Sequence, residues 1–346
     1  MNDLAPKHGR MMAELRDAPE VVARQRQILA APLRDLAARL RADPPAVVVT
    51  CARGSSAHAA TFGKHLIERH LAIPVAAAAP NIATVYRQRL RLSGQFFLAI
   101  SQSGRSDDLV ETAAMAKAAG ALTVALVNAP DSPLAEACDI VLPLGAGAER
   151  SVAATKSFVA SLTALLGLVA TWGGSDGLGR ALERLPLRLA EAGALDWGTA
   201  VTAFAAADSL IAIGRGPTLA IAREAALKLK EVCNLHAEAF SGAEFLHGPV
   251  ALVEAAYPIL LLVANDEAGG GLCRLAVNLR RKGAALVVAE PGLAGTDRLP
   301  VLAPDQAEAD AVCLIQSFYA MVPHLAARRG VDPDRPRHLQ KVTRTR

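Results

Sequence analysis

One order of strand-like and helix-like segments occurs twice along this chain of 346 residues, and that duplication limits the fold more than any other feature. In each copy an apolar strand ends in a glycine turn before a helix, as in AVVVTCARGSS and SLIAIGRGPT. Placing Arg53 on Arg215 gives an offset of 162 residues. Placing Gly120 on Gly283 gives an offset of 163. Two anchors that agree within one residue indicate tandem copies of one α/β unit.

The strand segments of both copies, such as FFLAI and PILLLV, are apolar along their whole length, and helical segments lie between them. Strands of that kind are typical of a parallel sheet covered by helices on both faces. We therefore predict an α/β fold with four parts: an N-terminal helical segment at 1–45, a first domain at 46–190, a second domain at 191–330 and a C-terminal tail at 331–346.

Charge and cysteine usage argue against several classes of protein. Lys and Arg total 37 against 33 Asp and Glu, with the signs interspersed, and we find no nucleic-acid-binding motif. The five cysteines follow no zinc or CxxC spacing, which is typical of reduced thiols in the cytoplasm. The N-terminus has no apolar signal segment, and SFVASLTALLGLVATW is short for a membrane span. We expect a cytoplasmic protein without nucleic-acid or membrane partners, and a buried helix at that stretch.

Polar side chains follow the FFLAI strand directly, where the next helix begins. Ser101, Gln102, Ser103 and Ser106 would supply donors beside the free N–H groups of that helix, an arrangement that favours an anion such as phosphate. Ser56, in the turn after the first strand, adds a hydroxyl. Ser106 alone fits an ordinary helix cap equally well. No GxGxxG follows any strand, which disfavours a dinucleotide.

The matching turn of the second copy is acidic, since Ala264-Asn265-Asp266-Glu267 stands where the first copy has SQSG. Ligands of open parallel sheets bind at the carboxyl ends of the strands. We therefore expect an anion at the first turn and repulsion of an anion at the second.

The stretch KLKEVCNLHAEAFSGAEFLHGP gathers three glutamates, two histidines and two lysines in 22 residues. Glu224, Lys228 and Glu231 share one helical face, which is also a common pattern of a solvated surface. The apolar, loop-like continuation with His236 and His247 argues instead for acid–base chemistry, which sugar isomerisation requires. HExxH is absent, so we do not expect zinc.

Several segments resemble one family, namely ARGSS, SQSGRSDD, SVAATKSF, EAALKLKEVCNLHAEAFSGAEFLHGP and DRPRHLQKVT. The chain resembles the SIS (sugar isomerase) phosphosugar-binding proteins, which include the isomerase half of glutamine–fructose-6-phosphate aminotransferases and the SIS-type glucosamine-6-phosphate deaminases. The segments run in order over nearly everything after the first 45 residues. The resemblance implies two tandem SIS domains, each a flavodoxin-like parallel sheet flanked by helices, with a C-terminal active-site tail.

The resemblance also implies roles for single residues. Glu231 matches the glutamate that moves a proton between C1 and C2, Lys228 an assisting lysine, His247 the ring-opening histidine and Lys341 the imine-forming lysine. The implied phosphate-binding residues are Ser56, Ser101, Gln102, Ser103 and Ser106, and those of the sugar pocket are Gly54, Ser55, Val152, Ala153 and Glu238. No metal and no cofactor are implied. The histidine of this family serves the neighbouring subunit, so a homodimer with its site at the subunit interface is implied.

Departures from the family pattern occur at Leu246, at the pair Arg150-Ser151 and at Ala225, and they touch the sugar end of the pocket. A glutamine-using synthase carries an amidotransferase domain before its SIS part, and a sequence that begins MNDLAPKHG leaves no room for one. We therefore expect glucosamine 6-phosphate and water to give fructose 6-phosphate and ammonia. The alternatives are a fructosamine-phosphate deglycase, another phosphosugar isomerase, or a non-catalytic phosphosugar-binding regulator.

Overall fold

The computed structural model describes residues 9–291 and 297–341, so the first eight residues of the predicted N-terminal segment and the last five of the predicted tail lie outside the described residues. The chain divides into two compact units. We call residues 20–149, 156–182 and 340–346 the first unit, and residues 1–19, 150–155 and 183–339 the second unit. Helix α1, Arg10–Ala42, contributes to both. The domain boundaries drawn from the sequence remain a prediction.

The first unit contains one five-stranded parallel sheet in the order β2-β1-β3-β4-β5. Its elements are β1 Val48–Ala52, α2 Gly54–Leu71, β2 Val75–Ala77, α3 Asn81–Thr84, β3 Phe96–Ser101, α4 Asp107–Ala118, β4 Leu122–Val127, α5 Pro133–Ala137, β5 Ile140–Pro143 and α6 Lys156–Gly173. All six residues of β3 are buried, as expected for a strand covered on both faces. The chain turns to opposite sides of β1 to form β2 and β3, so the point where the strand order reverses lies between β1 and β3.

The second unit repeats this topology in a parallel sheet of order β10-β9-β8-β6-β7. After α7, Asp176–Gly193, come α8 Gly198–Phe204, β6 Ser209–Gly214, α9 Pro217–Cys233, β7 His236–Ser241, α10 Gly242–Phe245, a 3-10 helix Pro249–Leu252, β8 Pro258–Leu262, α11 Gly269–Arg281, β9 Ala285–Ala289, β10 Arg298–Leu299 and α12 Ala307–Arg328. Since β6 corresponds to β1 and β8 to β3, the strand order reverses between β6 and β8 here.

The predicted α/β fold of two flavodoxin-like sheets is confirmed. Gly120 and Gly283, the second alignment anchor, both adopt positive φ, +83° and +78°, in the turn from a helix to the next strand. Helix α6 has the length and the apolar composition of a membrane span. However, 83% of its 18 residues are buried inside the protein, as in the core helix of a globular domain.

Two local predictions were wrong. The segment SVAATKSFVASLTALLGLVATW predicts a single long helix, but helix α6 begins only at Lys156. The residues before it form a loop, in which the N–H groups of Arg150 and Ser151 donate to Glu14 of α1. The stretch HAEAFS, predicted to be loop-like, forms strand β7, which pairs with β6 along its whole length. Helix α9 ends before this strand at Asn234, whose left-handed conformation (φ +48°) closes the helix.

Candidate active site

The predicted phosphate-binding residues lie together at the carboxyl edge of the first sheet. Strands β1 and β3 are hydrogen-bonded neighbours, so the turns that follow them, at 53–56 and 101–106, stand side by side. The N-termini of α2 and α4 begin at these turns, and their first N–H groups have no intrahelical acceptor. This edge is therefore suited to a small anion. We call the two turns the serine cradle.

The turn after β3 is shaped by its own side chains. The hydroxyl of Ser101 accepts the N–H of Gly104 at 3.0 Å, and that of Ser103 accepts the N–H of Arg105 at 3.3 Å. Gly104 has φ +64°, and a Cβ there would stand 2.0 Å from the Oγ of Ser132, so only glycine fits. The turn is thus a packed structure and not an open loop.

Three predicted ligands of the cradle keep their polar groups available. The side chains of Ser56, Gln102 and Ser106 make no hydrogen bond within residues 9–291 and 297–341. Ser106 is the N-cap residue of α4 by position, but its hydroxyl does not cap the helix. All three are partly exposed, so their donors can turn to a bound anion.

One of the two acids in the first turn of α4 is neutralised within the protein. Asp108, in the first turn of α4, is only 1% exposed and binds Arg53 through two hydrogen bonds of 2.9 and 2.8 Å. The guanidinium group of Arg53 remains half exposed at the end of β1. The pair is therefore neutral overall, with the arginine on its exposed side.

The predicted acid–base residues of α9 form a chain of contacts that runs from the core to the surface of the second unit. The Tyr319 hydroxyl, on α12, donates to Glu224 at 2.9 Å. Lys228 lies 3.3 Å from Glu224 and 2.5 Å from Glu231. The alternative of a solvated face is wrong, because the side chains of Glu224 and Lys228 are 0% and 1% exposed.

The ionisation of Lys228 is determined by these two carboxylates. Burial on its own lowers the pKa of the ammonium group, but Glu224 and Glu231 outweigh that effect and raise the pKa above its ordinary value. Lys228 is thus a fixed positive charge. It holds Glu231, whose side chain is still 21% exposed, in one position.

Lys341, from the predicted active-site tail, contacts a carboxylate in the first unit. Its Nζ lies 3.1 Å from Oε2 of Glu149, and the Glu149 side chain is fully buried. Glu149 also accepts the Ser157 hydroxyl at 2.6 Å and the Ser157 N–H at 3.1 Å. Glu149 therefore satisfies an N–H in the first turn of α6 and binds the lysine with the same carboxylate.

The loop at 150–155, in the second unit, contains the predicted sugar-pocket residues Val152 and Ala153. Glu14 of α1 accepts the N–H of Ser151 with both oxygens, each at 3.2 Å, and it also accepts the N–H of Arg150. Val152 is partly exposed and Ala153 is buried. The other predicted pocket residues lie elsewhere: Gly54 and Ser55 in the cradle, and Glu238 exposed on β7.

His247 follows α10 and is exposed at the edge of a cavity of about 390 Å³ in the second unit. Glu231 is not among the residues that line this cavity. Sequence reasoning missed Glu149, Glu14 and Tyr319. Of these, only Glu149 had a signal in the sequence, as a lone acid directly before the RSVAATK segment.

Comparison with known proteins identifies the family of both halves. The profile described as "SIS domain" matches residues 46–170 and 203–289. Glutamine–fructose-6-phosphate aminotransferase [isomerizing] of Pseudomonas syringae pv. tomato is 33% identical over 96% of this chain, and that of Symbiobacterium thermophilum is 32% identical over 88%. The matches cover 58% and 52% of those relatives, so the chain spans little more than half of their length.

Solved structures agree. A protein of Silicibacter pomeroyi DSS-3, provisionally assigned as a phosphosugar isomerase, superposes with a TM-score of 0.90 at 43% identity, covering 94% of this chain and 100% of that one. The C-terminal domain of glucosamine-fructose-6-phosphate aminotransferase from Francisella tularensis gives 0.84 at 26% identity, covering 96% and 99%. Glucosamine-6-phosphate deaminase of Thermotoga maritima, at 21% identity and a TM-score of 0.75, shares the fold.

Proposed function

Since the chain belongs to the SIS domain family, we propose that it is a phosphosugar isomerase, and more narrowly a deaminase that converts glucosamine 6-phosphate and water to fructose 6-phosphate and ammonia. The single observation that supports catalysis best is the position of Glu231. It is a carboxylate open to solvent and held at 2.5 Å by a buried lysine, which in turn is fixed by the buried Glu224. A general base needs this combination of fixed position and access.

The proposed reaction begins with the phosphate in the serine cradle, where Ser56, Ser101, Gln102, Ser103 and Ser106 donate to its oxygens. After ring opening, Glu231 removes the proton from C2 of the amino aldose, which gives an enolamine. The same carboxyl group returns a proton to C1, and the product is an imine at C2. Hydrolysis of that imine releases ammonia and leaves the ketone of fructose 6-phosphate.

We assign imine exchange to Lys341 and Glu149. Glu149, 3.1 Å from the Lys341 nitrogen, positions that group for attack on C2, and the proton that the lysine gives up leaves with the expelled ammonia. Attack of the amine forms a bond from Nζ to C2 and expels ammonia. Water then hydrolyses the lysine imine and restores the free amine. Because Glu149 also binds the first turn of α6, its position is fixed before substrate arrives.

We assign ring opening to His247, and we propose that it acts in the neighbouring subunit of a cytoplasmic homodimer. His247 is exposed and lines a cavity of the second unit that Glu231 does not line. This placement supports a role toward another copy of the chain.

The reaction is tested by product analysis of the purified chain. With glucosamine 6-phosphate we expect ammonia and fructose 6-phosphate in equal amounts, measured with coupled glutamate dehydrogenase and phosphoglucose isomerase assays. Galactosamine 6-phosphate and a fructosamine 6-phosphate conjugate of an amino acid serve as parallel substrates. Release of an amine only from the conjugate would replace the deaminase with a deglycase. No turnover of any phosphosugar would contradict the enzyme assignment.

Imine formation at Lys341 is tested by reductive trapping. Incubation with fructose 6-phosphate and sodium borohydride should attach the sugar to the peptide that contains Lys341, as detected by mass spectrometry. Lys341→Arg is the matched control, because arginine keeps the charge beside Glu149 but forms no stable imine. An adduct of equal yield in that variant would contradict the assignment.

A further inference from the structure

Two arginine side chains lie at the carboxyl edge of the second sheet without a carboxylate to pair with among the described residues. The guanidinium groups of Arg215, in the turn after β6, and Arg274, on α11, make no ion pair within residues 9–291 and 297–341. Both face the place where a side chain of Gly271 would begin. A Cβ on Gly271 would stand 3.8 Å from Nη1 of Arg215 and 4.0 Å from an Nη of Arg274.

The duplication explains this excess of positive charge. The offset of 163 that matches Gly120 with Gly283 places Asp108 on Gly271 and Glu111 on Arg274. The register is supported by burial, since the buried Leu109 and Ala113 of α4 fall on the buried residues Leu272 and Ala276 of α11.

In the first unit the arginine that corresponds to Arg215, Arg53, is bound to Asp108. In the second unit the carboxylate has been replaced by glycine, and the neighbouring acid Glu111 by arginine. The same face of the same helix therefore changes from acidic to basic between the copies, while its core-facing residues keep their apolar character.

The two arginines border an open cavity of about 390 Å³, a volume that suits a small ligand. Its lining includes Arg215, Gly242, His247, Gly271, Arg274 and Asn278. Gly271, Arg274 and Asn278 follow one another at spacings of three and four, so they share one face of α11. The cavity thus combines two guanidinium groups and an amide at the point where the strand order reverses, which is where ligands of such sheets bind.

The acidic turn at 264–267 was expected to repel anions from this edge. The Oδ1 atom of Asp266 instead accepts hydrogen bonds from the N–H groups of Ala268 and Gly269, at 3.0 and 3.2 Å. Its negative charge therefore interacts with the N-terminus of the helix that follows. Neither Asp266 nor Glu267 lines the cavity. The cationic side chains of the lining therefore determine its local charge.

We propose that this cavity is a second anion site that binds the phosphate group of a small phosphate monoester. Guanidinium groups bind phosphate oxygens with paired, charge-assisted hydrogen bonds, and the missing side chain of Gly271 leaves room for the ligand between them. This site lies in the second unit and is distinct from the serine cradle of the first. It does not depend on the isomerase assignment.

Gly271→Asp tests the proposal by rebuilding the arrangement of the first unit, with a carboxylate beside Arg215. Gly271→Ala is the matched control, because it adds a Cβ in ordinary van der Waals contact with the two arginines and adds no charge. Inorganic phosphate is titrated at constant ionic strength, and the Nε–H resonances of Arg215 and Arg274 are followed by ¹H–¹⁵N NMR. We expect saturable shifts in the unaltered protein and in Gly271→Ala, and affinity weaker by about tenfold or more in Gly271→Asp.

Arg274→Gln provides a second variant that removes one donor without adding a carboxylate, and it should also weaken phosphate binding at this site. Circular dichroism checks that each variant is folded. Absence of a saturable shift at either arginine in the unaltered protein would overturn the proposal. Equal affinity in Gly271→Asp, or a loss in Gly271→Ala as large as in Gly271→Asp, would overturn it as well. The readout is specific to these arginines, so binding at the serine cradle does not affect the result.

Discussion

Glu231→Gln is expected to lower kcat by about 10²–10⁴-fold, the usual contribution of a general acid–base group. The substitution keeps the size of the side chain and leaves an amide oxygen for Lys228, but the amide does not accept a proton from C2. The substrate phosphate is assigned to other residues, so KM for glucosamine 6-phosphate should change little. Steady-state kinetics with the ammonia assay measures both constants.

Isotope exchange distinguishes a base from a residue that only positions others. In heavy water the unaltered enzyme should incorporate deuterium at C1 of the ketose, and Glu231→Gln should lose this incorporation in proportion to kcat. Glu254→Gln is the matched control, since Glu254 is an exposed carboxylate of the same unit that we place outside the proposed machinery. Normal exchange in Glu231→Gln would show that another group moves the proton.

The sequence predicted the fold well because burial leaves a direct pattern there. Strands covered on both faces, such as β3, must be apolar throughout, and the repeat of this pattern revealed the duplication. Strand β7 was missed because HAEAFS combines exposed His236 and Glu238 with small residues of weak strand preference. Its conformation comes from pairing with β6, a contact that no local pattern records.

The candidate site was less predictable than the fold, because it depends on contacts between residues that are distant in sequence. The spacing of Glu224, Lys228 and Glu231 showed that they share a helical face, but not that α12 covers this face and donates Tyr319 to it. Glu149 acts through a contact with a lysine 192 positions away along the chain. The sequence around Arg215 also does not show whether this arginine has an acidic partner. The corresponding Arg53 is paired with Asp108, which is distant along the chain, so such a contact becomes visible only in the structure.

Lys228→Met should be the most destabilising of these substitutions, lowering the free energy of unfolding by about 3–5 kcal/mol, as is typical when one partner of a buried ion pair is removed. Methionine fills the space of the lysine stem but leaves the carboxylate of Glu224, which is fully buried, without its ammonium partner. Urea unfolding followed by circular dichroism measures the change. Lys230→Met is the matched control, because Lys230 is exposed on the same helix and its replacement should have little effect.

A double variant separates the stability of this cluster from its role in catalysis. Glu224→Gln added to Lys228→Met removes the buried charge and keeps an acceptor for Tyr319, so the double variant should be more stable than Lys228→Met alone. Its activity should stay low, because Glu231 no longer has the lysine that holds it. Recovery of both stability and activity would show that Lys228 acts only as a structural counter-charge.

The pH dependence of unfolding provides an independent check on Lys228. Its pKa is raised in the folded state, so the unfolded chain loses this proton first, near its ordinary pKa of about 10.4. The stabilisation is therefore complete below that pH and is lost as the pH rises through the higher folded pKa. Lys228→Met lacks this group, so the difference in stability between the two proteins should be constant from neutral pH to about pH 10 and shrink above it. A difference that stays constant through this alkaline range would mean that the ammonium of Lys228 is not what the two carboxylates stabilise.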